Sequence, residues 1–166
     1  MNTENDLKEL EPRDRRTVMS LVQDAGVDVT PWSWRKDGSP CPVPAANPRY
    51  CYGWCFGGGG EPTVLSVWFE DMRVADGRIR YTSQSAYRLD PLVGGPNRLR
   101  RAQEFDIMLQ AVVKEESPVR VIVVKGTSIP HNEQKAKFRR LDLVTWKVVE
   151  FDVKSGYFVL ERSHHG

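Results

Sequence analysis

An α+β domain is predicted for this chain, and three observations predict it. Apolar residues recur at helical spacing in two separate segments. Short alternating or wholly apolar runs lie between and after them, and no repeat or linker divides the 166 residues. The length suits one domain, and 40% hydrophobic with 28% charged residues supports a sizeable core. The expected architecture is a single compact domain, a mostly antiparallel sheet or partly closed barrel packed by two helices. It is expected to span residues 12–162, with residues 1–11 a disordered acidic tail and 163–166 a second tail.

The first helix is expected from near Pro12, with Val18, Leu21, Val22 and Ala25 on its apolar stripe and Gly26 as its stop. Arg13, Arg15 and Arg16 near its start oppose the helix dipole, a cost that is small on a solvated surface and useful beside a phosphate. Residues 27–48 carry five prolines and read as an irregular segment. It includes Trp32-Ser33-Trp34-Arg35-Lys36, in which two aromatics adjoin two cations.

Next comes Asn47–Phe56, where Tyr50, Tyr52, Trp54 and Phe56 fall on alternate residues. In a strand these rings share one face, with Cys51, Gly53 and Cys55 on the other. Gly57–Gly60 would turn this strand into a partner over Val64–Phe69, a hairpin at the centre of the fold. Asp76-Gly77 marks a tight turn into Arg78–Thr82, which suggests a three-stranded meander. Residues 83–96 form a second long loop. A helix over Asn97–Glu116 follows, burying Ala102, Phe105, Leu109 and Val112 and ended by Pro118. Val119–Val124 is almost wholly apolar and reads as a central strand covered on both faces. After a polar loop, Thr127–Lys137, two closing strands are expected around Leu143–Asp152 and Tyr157–Glu161, turned by Ser155-Gly156.

Little in the sequence supports catalysis. The chain has no GxSxG nucleophile elbow, no GxxxxGK phosphate loop and no GxGxxG between a strand and a helix. Gly57–Gly60 precedes no helix and reads as a hairpin loop. Cys41, Cys51 and Cys55 with His131, His164 or His165 number enough ligands for zinc. On one strand face, however, Cys51 and Cys55 would lie roughly 13 Å apart, so buried structural thiols are expected. Glu70 and Asp71 with Asp76 are the acids a metal-dependent nuclease would need, and they read instead as a solvated strand end and turn. No metal and no cofactor is expected. No apolar run approaches the roughly 20 residues of a membrane span, and the acidic N-terminus has no signal-peptide pattern, so a cytoplasmic location is expected.

Binding chemistry is better represented. Net charge is only +2, but arginines and lysines cluster at Arg13-Arg15-Arg16, Arg98-Arg100-Arg101 and Lys135-Lys137-Arg139-Arg140. Trp32, Trp34, Tyr50, Tyr52 and Trp54, with Trp68, can form a cage or stacking slot for a base, flanked by Arg35 and Arg49. Asn47 offers the donor and acceptor that a base edge requires. Arg98, Arg100, Arg101, Arg139 and Arg140 are the candidate phosphate contacts. A protein–protein interaction domain, with the rings in its core, is the competing reading.

The ordered blocks Asp24-Ala25-Gly26-Val27-Asp28-Val29, Ala46-Asn47-Pro48-Arg49-Tyr50-Cys51-Tyr52-x-Trp54, Val67-Trp68 and Arg100-Arg101-Ala102 with Asp106 and Leu109 resemble a known family. Further blocks are Pro118–Val123 and Arg140-Leu141-Asp142-x-x-x-Trp146-x-Val148, with Asp152 and Gly156. Together they are similar to the N-terminal domain that precedes HNH nuclease domains in McrA-like, modification-dependent restriction proteins. The resemblance covers roughly residues 13–162. It implies a reader of modified double-stranded DNA, of 5-methylcytosine or a backbone phosphorothioate, with cleavage supplied by a partner or fused HNH domain that does not follow here. Gly53 and Gly57–Gly60 depart from that pattern. The loops at 39–48 and Gly94-Gly95-Pro96 are the expected places for a modification-sensing pocket.

Overall fold

Seven residues, Val119–Lys125, form the strand on which the structure is built, and five of them are buried. The computed structural model describes residues 2–84, 95–126 and 137–164. In chain order the elements are α1 (Thr3–Glu9), α2 (Val18–Asp24), β1 (Cys55–Gly58), β2 (Glu61–Trp68), β3 (Met72–Ala75) and β4 (Arg78–Gln84). They continue with α3 (Gly95–Glu115), β5 (Val119–Lys125), β6 (Phe138–Leu141), β7 (Trp146–Phe151) and β8 (Tyr157–Arg162). The fold is α+β, with one eight-stranded sheet in the order β1-β2-β5-β7-β8-β4-β3 and β6 also paired to β5.

Both faces of β5 are covered because its side chains alternate between two apolar clusters. Val119, Val121 and Val123 join Leu65 and Val67 of β2 against Phe105, Leu109 and Val112 of α3. Ile122 and Val124 join Val64 against Val18, Leu21 and Val22 of α2 and against Trp32. Each such side chain contributes about 1.5–3 kcal/mol by leaving water. One edge of β5 pairs with β2 in parallel, from Thr63 opposite Val119 to Trp68 opposite Val124. The other edge is shared: β7 meets it at Val119, and β6 pairs from Ile122 to Lys125.

The expected mostly antiparallel sheet is present and is open, with edge strands β1 and β3 pairing on one side only. Other expectations are corrected. The meander is absent: β3 and β4 form a hairpin on the far side of β8, while β2 lies between β1 and β5. β2 pairs with β5 in parallel, with α3 in the connection between them. Residues 3–9 of the supposed tail are helical. Asn2 caps this helix by accepting from the Glu4 and Asn5 amides, and Leu10 beyond it is only 2% exposed in the α3-side core. Among the described residues the α-helices are therefore α1, α2 and α3. The second begins at Val18, capped by Thr17, rather than near Pro12.

The aromatic strand over Asn47–Phe56 is also corrected, to a coiled turn with strand only from Cys55. Pro48 has no amide to donate, and the Tyr50 and Cys51 amides both donate back to the Asn47 carbonyl at 3.0 and 2.9 Å. Within β1, Gly57 takes φ 78°, where a Cβ would stand 2.0 Å from the Pro62 carbonyl oxygen. Gly57→Ala is expected to cost about 3 kcal/mol or more in chemical denaturation. Gly59, at φ 60° with nothing within 4 Å, is the control, and its alanine variant should lose only about 1–2 kcal/mol. Equal losses at the two positions would show that conformation, not the contact with Pro62, sets the cost.

Candidate nucleic-acid interface

The 47–54 turn is pinned by its first residue. Asn47 is 1% exposed; its Nδ2 donates to the Trp32 and Trp34 carbonyls, both at 2.9 Å, and its Oδ1 accepts from the Arg49 amide at 3.0 Å. This amide ties the two loops together and has no face toward solvent, so it does not stand where a base edge could meet it. Trp32 is likewise committed to packing. It is 3% exposed, stacks on Tyr50 with centroids 5.2 Å apart, and lies 6.0 Å from Phe56. Trp54 is half-buried against the core on the α3 side. The rings therefore do not share one face: Tyr50 serves one core, Trp54 the other, and Tyr52 points outward.

What the turn leaves at the surface is narrower than the predicted cage. Trp34 is 49% exposed and Tyr52 60%. Arg35 is exposed on a tight turn in which its amide donates to the Ser39 carbonyl at 2.7 Å. Arg49 is exposed and its guanidinium lies over the Tyr50 ring, 5.2 Å from the centroid. From α3, Arg101 reaches over the Tyr52 ring at 5.2 Å.

Partial burial pushes the Cys51 thiol up, while the positive charges of Arg101 and Arg139 both pull it down. Burial also holds the Arg139 guanidinium below its ordinary pKa. Arg98 and Arg100 are exposed on the first turns of α3, with Arg100 within 3.8 Å of Glu104, and Arg140 is exposed on β6. Cys55 is more deeply enclosed; burial, with Glu104 nearby, pushes its thiol up to about 12.

Arg13 and Arg16 were absent from the predicted site, and the structure brings them beside Arg139 and Arg140. The Arg139 amide donates to the Asp14 carbonyl at 3.0 Å and its Nη1 to the Arg16 carbonyl at 3.2 Å, which zips the segment before α2 onto β6. The cluster Arg13-Arg15-Arg16 was the available signal. It could not be placed because β6, with the sequence Phe-Arg-Arg-Leu, carries no strand periodicity.

The acids Glu70 and Asp71 lie on a single 3-10 turn between β2 and β3, where Arg73 donates to the Glu70 carbonyl. Asp71, secondary to burial, helps push the Tyr81 phenol up to about 12. Among the described residues no three His, Cys, Asp or Glu side chains are grouped to hold a metal, and Cys41, Cys51 and Cys55 are free thiols. His131, Lys135, His165 and the Asp90-Pro91 and Gly94 loop positions lie outside the described residues. Among the described residues no helix is long and apolar enough to cross a membrane. No family model, curated protein or solved structure matches the chain.

Proposed function

We propose that the chain is a non-catalytic DNA-binding module that reads modified double-stranded DNA, bearing 5-methylcytosine or a phosphorothioate, for a nuclease supplied by a partner or fused domain. The observation that carries this reading is the Tyr52–Arg101 pair, an exposed ring held beneath a cation. An aromatic face beside guanidinium groups suits a polyanion that carries bases: the ring offers stacking and the arginines offer phosphate contacts. Trp34, Arg35 and Arg49 extend the surface along the same loops. Trp32, Asn47, Tyr50 and Trp54 support it from within.

Matched duplexes, unmodified, cytosine-methylated or phosphorothioated, test the reading in a titration of the full chain over a range of salt. Affinity should fall steeply with salt and should favour one modified duplex. Tyr52→Ala is expected to weaken binding roughly 5- to 150-fold, the worth of one stacked base. Arg101→Ala should weaken all duplexes alike and flatten the salt dependence. Failure to bind any duplex at low salt rejects the module as a reader. The protein–protein reading draws on Leu143, Val149 and Val153, exposed by 84%, 43% and 64% on and around β7. It predicts an association that survives high salt and loses strength when these residues are made polar.

A further inference from the structure

Residues 33–41 fold into a short two-stranded finger whose strands meet at Trp34 and Pro40. The Cys41 amide donates to the Ser33 carbonyl and the Arg35 amide to the Ser39 carbonyl, both at 2.7 Å. The Gly38 amide closes the tip on the Arg35 carbonyl at 2.9 Å, at a φ of 88° that glycine adopts without strain. At the base, Asn47 bonds the Trp32 and Trp34 carbonyls, so the finger is tied to the 47–54 turn that carries Tyr52. From Arg35 to Gly38 every residue of the tip is exposed. Its chemistry is one-sided. Arg35 and Lys36 carry only donors, and among the described residues neither takes part in an ion pair. Asp37, the one acid of the tip, is engaged within the turn. Its Oδ1 accepts from the Ser39 amide at 2.9 Å and from the Ser39 hydroxyl at 2.6 Å. These bonds, with the Arg35 charge behind them, hold its carboxyl below the usual range.

We propose that this finger enters the major groove of a DNA duplex and that Arg35 and Lys36 read guanine there. The role rests on the DNA-binding reading and adds to it a base preference that is separate from the modification. A two-stranded ribbon fits the major groove, which is about 12 Å wide. Guanine is the base that presents two acceptors side by side on that edge, N7 and O6, and arginine and lysine are the side chains that pair with both. Adenine and cytosine each place an amino donor there, which a tip of donors cannot satisfy. The bonds within the finger and at its base mean that little backbone must be ordered on binding, so the contact energy is not spent on stiffening a loop.

Base analogues test the finger in a titration of the full chain. The tightest-binding of the matched duplexes is made in three versions: with guanine, with 7-deazaguanine, which lacks N7, and with hypoxanthine, which keeps N7 and O6 but loses the minor-groove amino group. The 7-deazaguanine version should bind about tenfold more weakly than the guanine version, and the hypoxanthine version within about twofold of it. In the double variant Arg35→Ala/Lys36→Ala the guanine duplex should bind about tenfold or more weakly, and the 7-deazaguanine penalty should vanish. Arg98→Ala, outside the finger, should weaken all versions alike and keep the penalty. Both tip side chains are exposed, so the thermal midpoint of the double variant should match that of the parent, which separates lost reading from lost folding. Equal binding of the guanine and 7-deazaguanine versions, or a penalty that survives in the double variant, rejects the finger as a reader while the DNA reading stands. A penalty for hypoxanthine alone places the contact in the minor groove and rejects it likewise. If no duplex binds at low salt, both are rejected.

Discussion

Replacing Asp142 with alanine is expected to destabilise the protein by about 3–5 kcal/mol, a large part of the roughly 5–15 kcal/mol that holds a domain together. Asp142 sits at the corner where the chain leaves β6 beside β5, its amide donating to the Val121 carbonyl at 2.9 Å. The residue is 2% exposed, and its carboxylate is saturated. Arg162 donates from Nε at 2.8 Å and from Nη2 at 3.0 Å, Trp146 Nε1 at 2.7 Å, and the Val144 amide at 3.1 Å. Without it, an 11% exposed guanidinium and the indole N–H of a fully buried tryptophan lose their acceptor together.

For a chain of this length the loss corresponds to a thermal midpoint lower by about 6–20 °C. A double-mutant cycle sharpens the test. Arg162→Met removes the charge that Asp142 compensates, so Asp142→Ala should cost less in that background than alone. A loss below about 1 kcal/mol for Asp142→Ala, or strict additivity with Arg162→Met, would show that the corner is held by packing alone.

Periodicity disclosed the parts of the fold whose burial is set by one chain segment against a broad apolar surface. The stripe Ala102, Phe105, Leu109 and Val112 is buried on α3, and the continuous run at Val119–Val124 is buried on both faces of β5. Turn chemistry located the β3–β4 connection, where Asp76 takes φ 52° before Gly77 at 72°. Other features depend on partners distant in sequence. Alternate rings at Tyr50, Tyr52 and Trp54 imitate strand spacing, yet an Asn-Pro start and the back-bonding to Asn47 coil the segment instead. Pairing of β2 with β5 joins strands with α3 between them, and nothing local in either strand specifies its neighbour. The helix over Thr3–Glu9 was legible only through its Asn2 cap and the spacing of Leu7 and Leu10, signals outweighed by acidic composition.

The site was legible as chemistry but not as geometry. Composition identified cations beside aromatics, and the structure keeps two such pairs together: Arg101 with Tyr52 and Arg49 with Tyr50. Which rings face solvent depends on what stacks beneath them. Trp32 and Trp34 are two residues apart in one loop, but Tyr50 and Phe56 cover the first and leave the second half exposed. The result divides the predicted site into a surface that can touch a ligand and an interior that shapes that surface.

Asn47→Ala tests that division directly, and its expected outcome is a loss of about 2–4 kcal/mol of stability. Three hydrogen bonds vanish, leaving two carbonyls of the tryptophan loop and the Arg49 amide without the partner that now joins them. The thermal midpoint should fall by about 4–16 °C. On the proposed DNA-binding function, affinity should fall as well, because Tyr50 and Tyr52 are carried by the turn that Asn47 anchors. That loss should be equal for modified and unmodified duplexes, since a scaffold residue changes the presentation of the whole surface. A residue reading a base edge behaves in the opposite way, leaving stability nearly intact while discrimination between duplexes collapses. Measuring midpoint and discrimination ratio on the same variant separates the two roles. An unchanged midpoint with a lost ratio would return Asn47 to the binding surface.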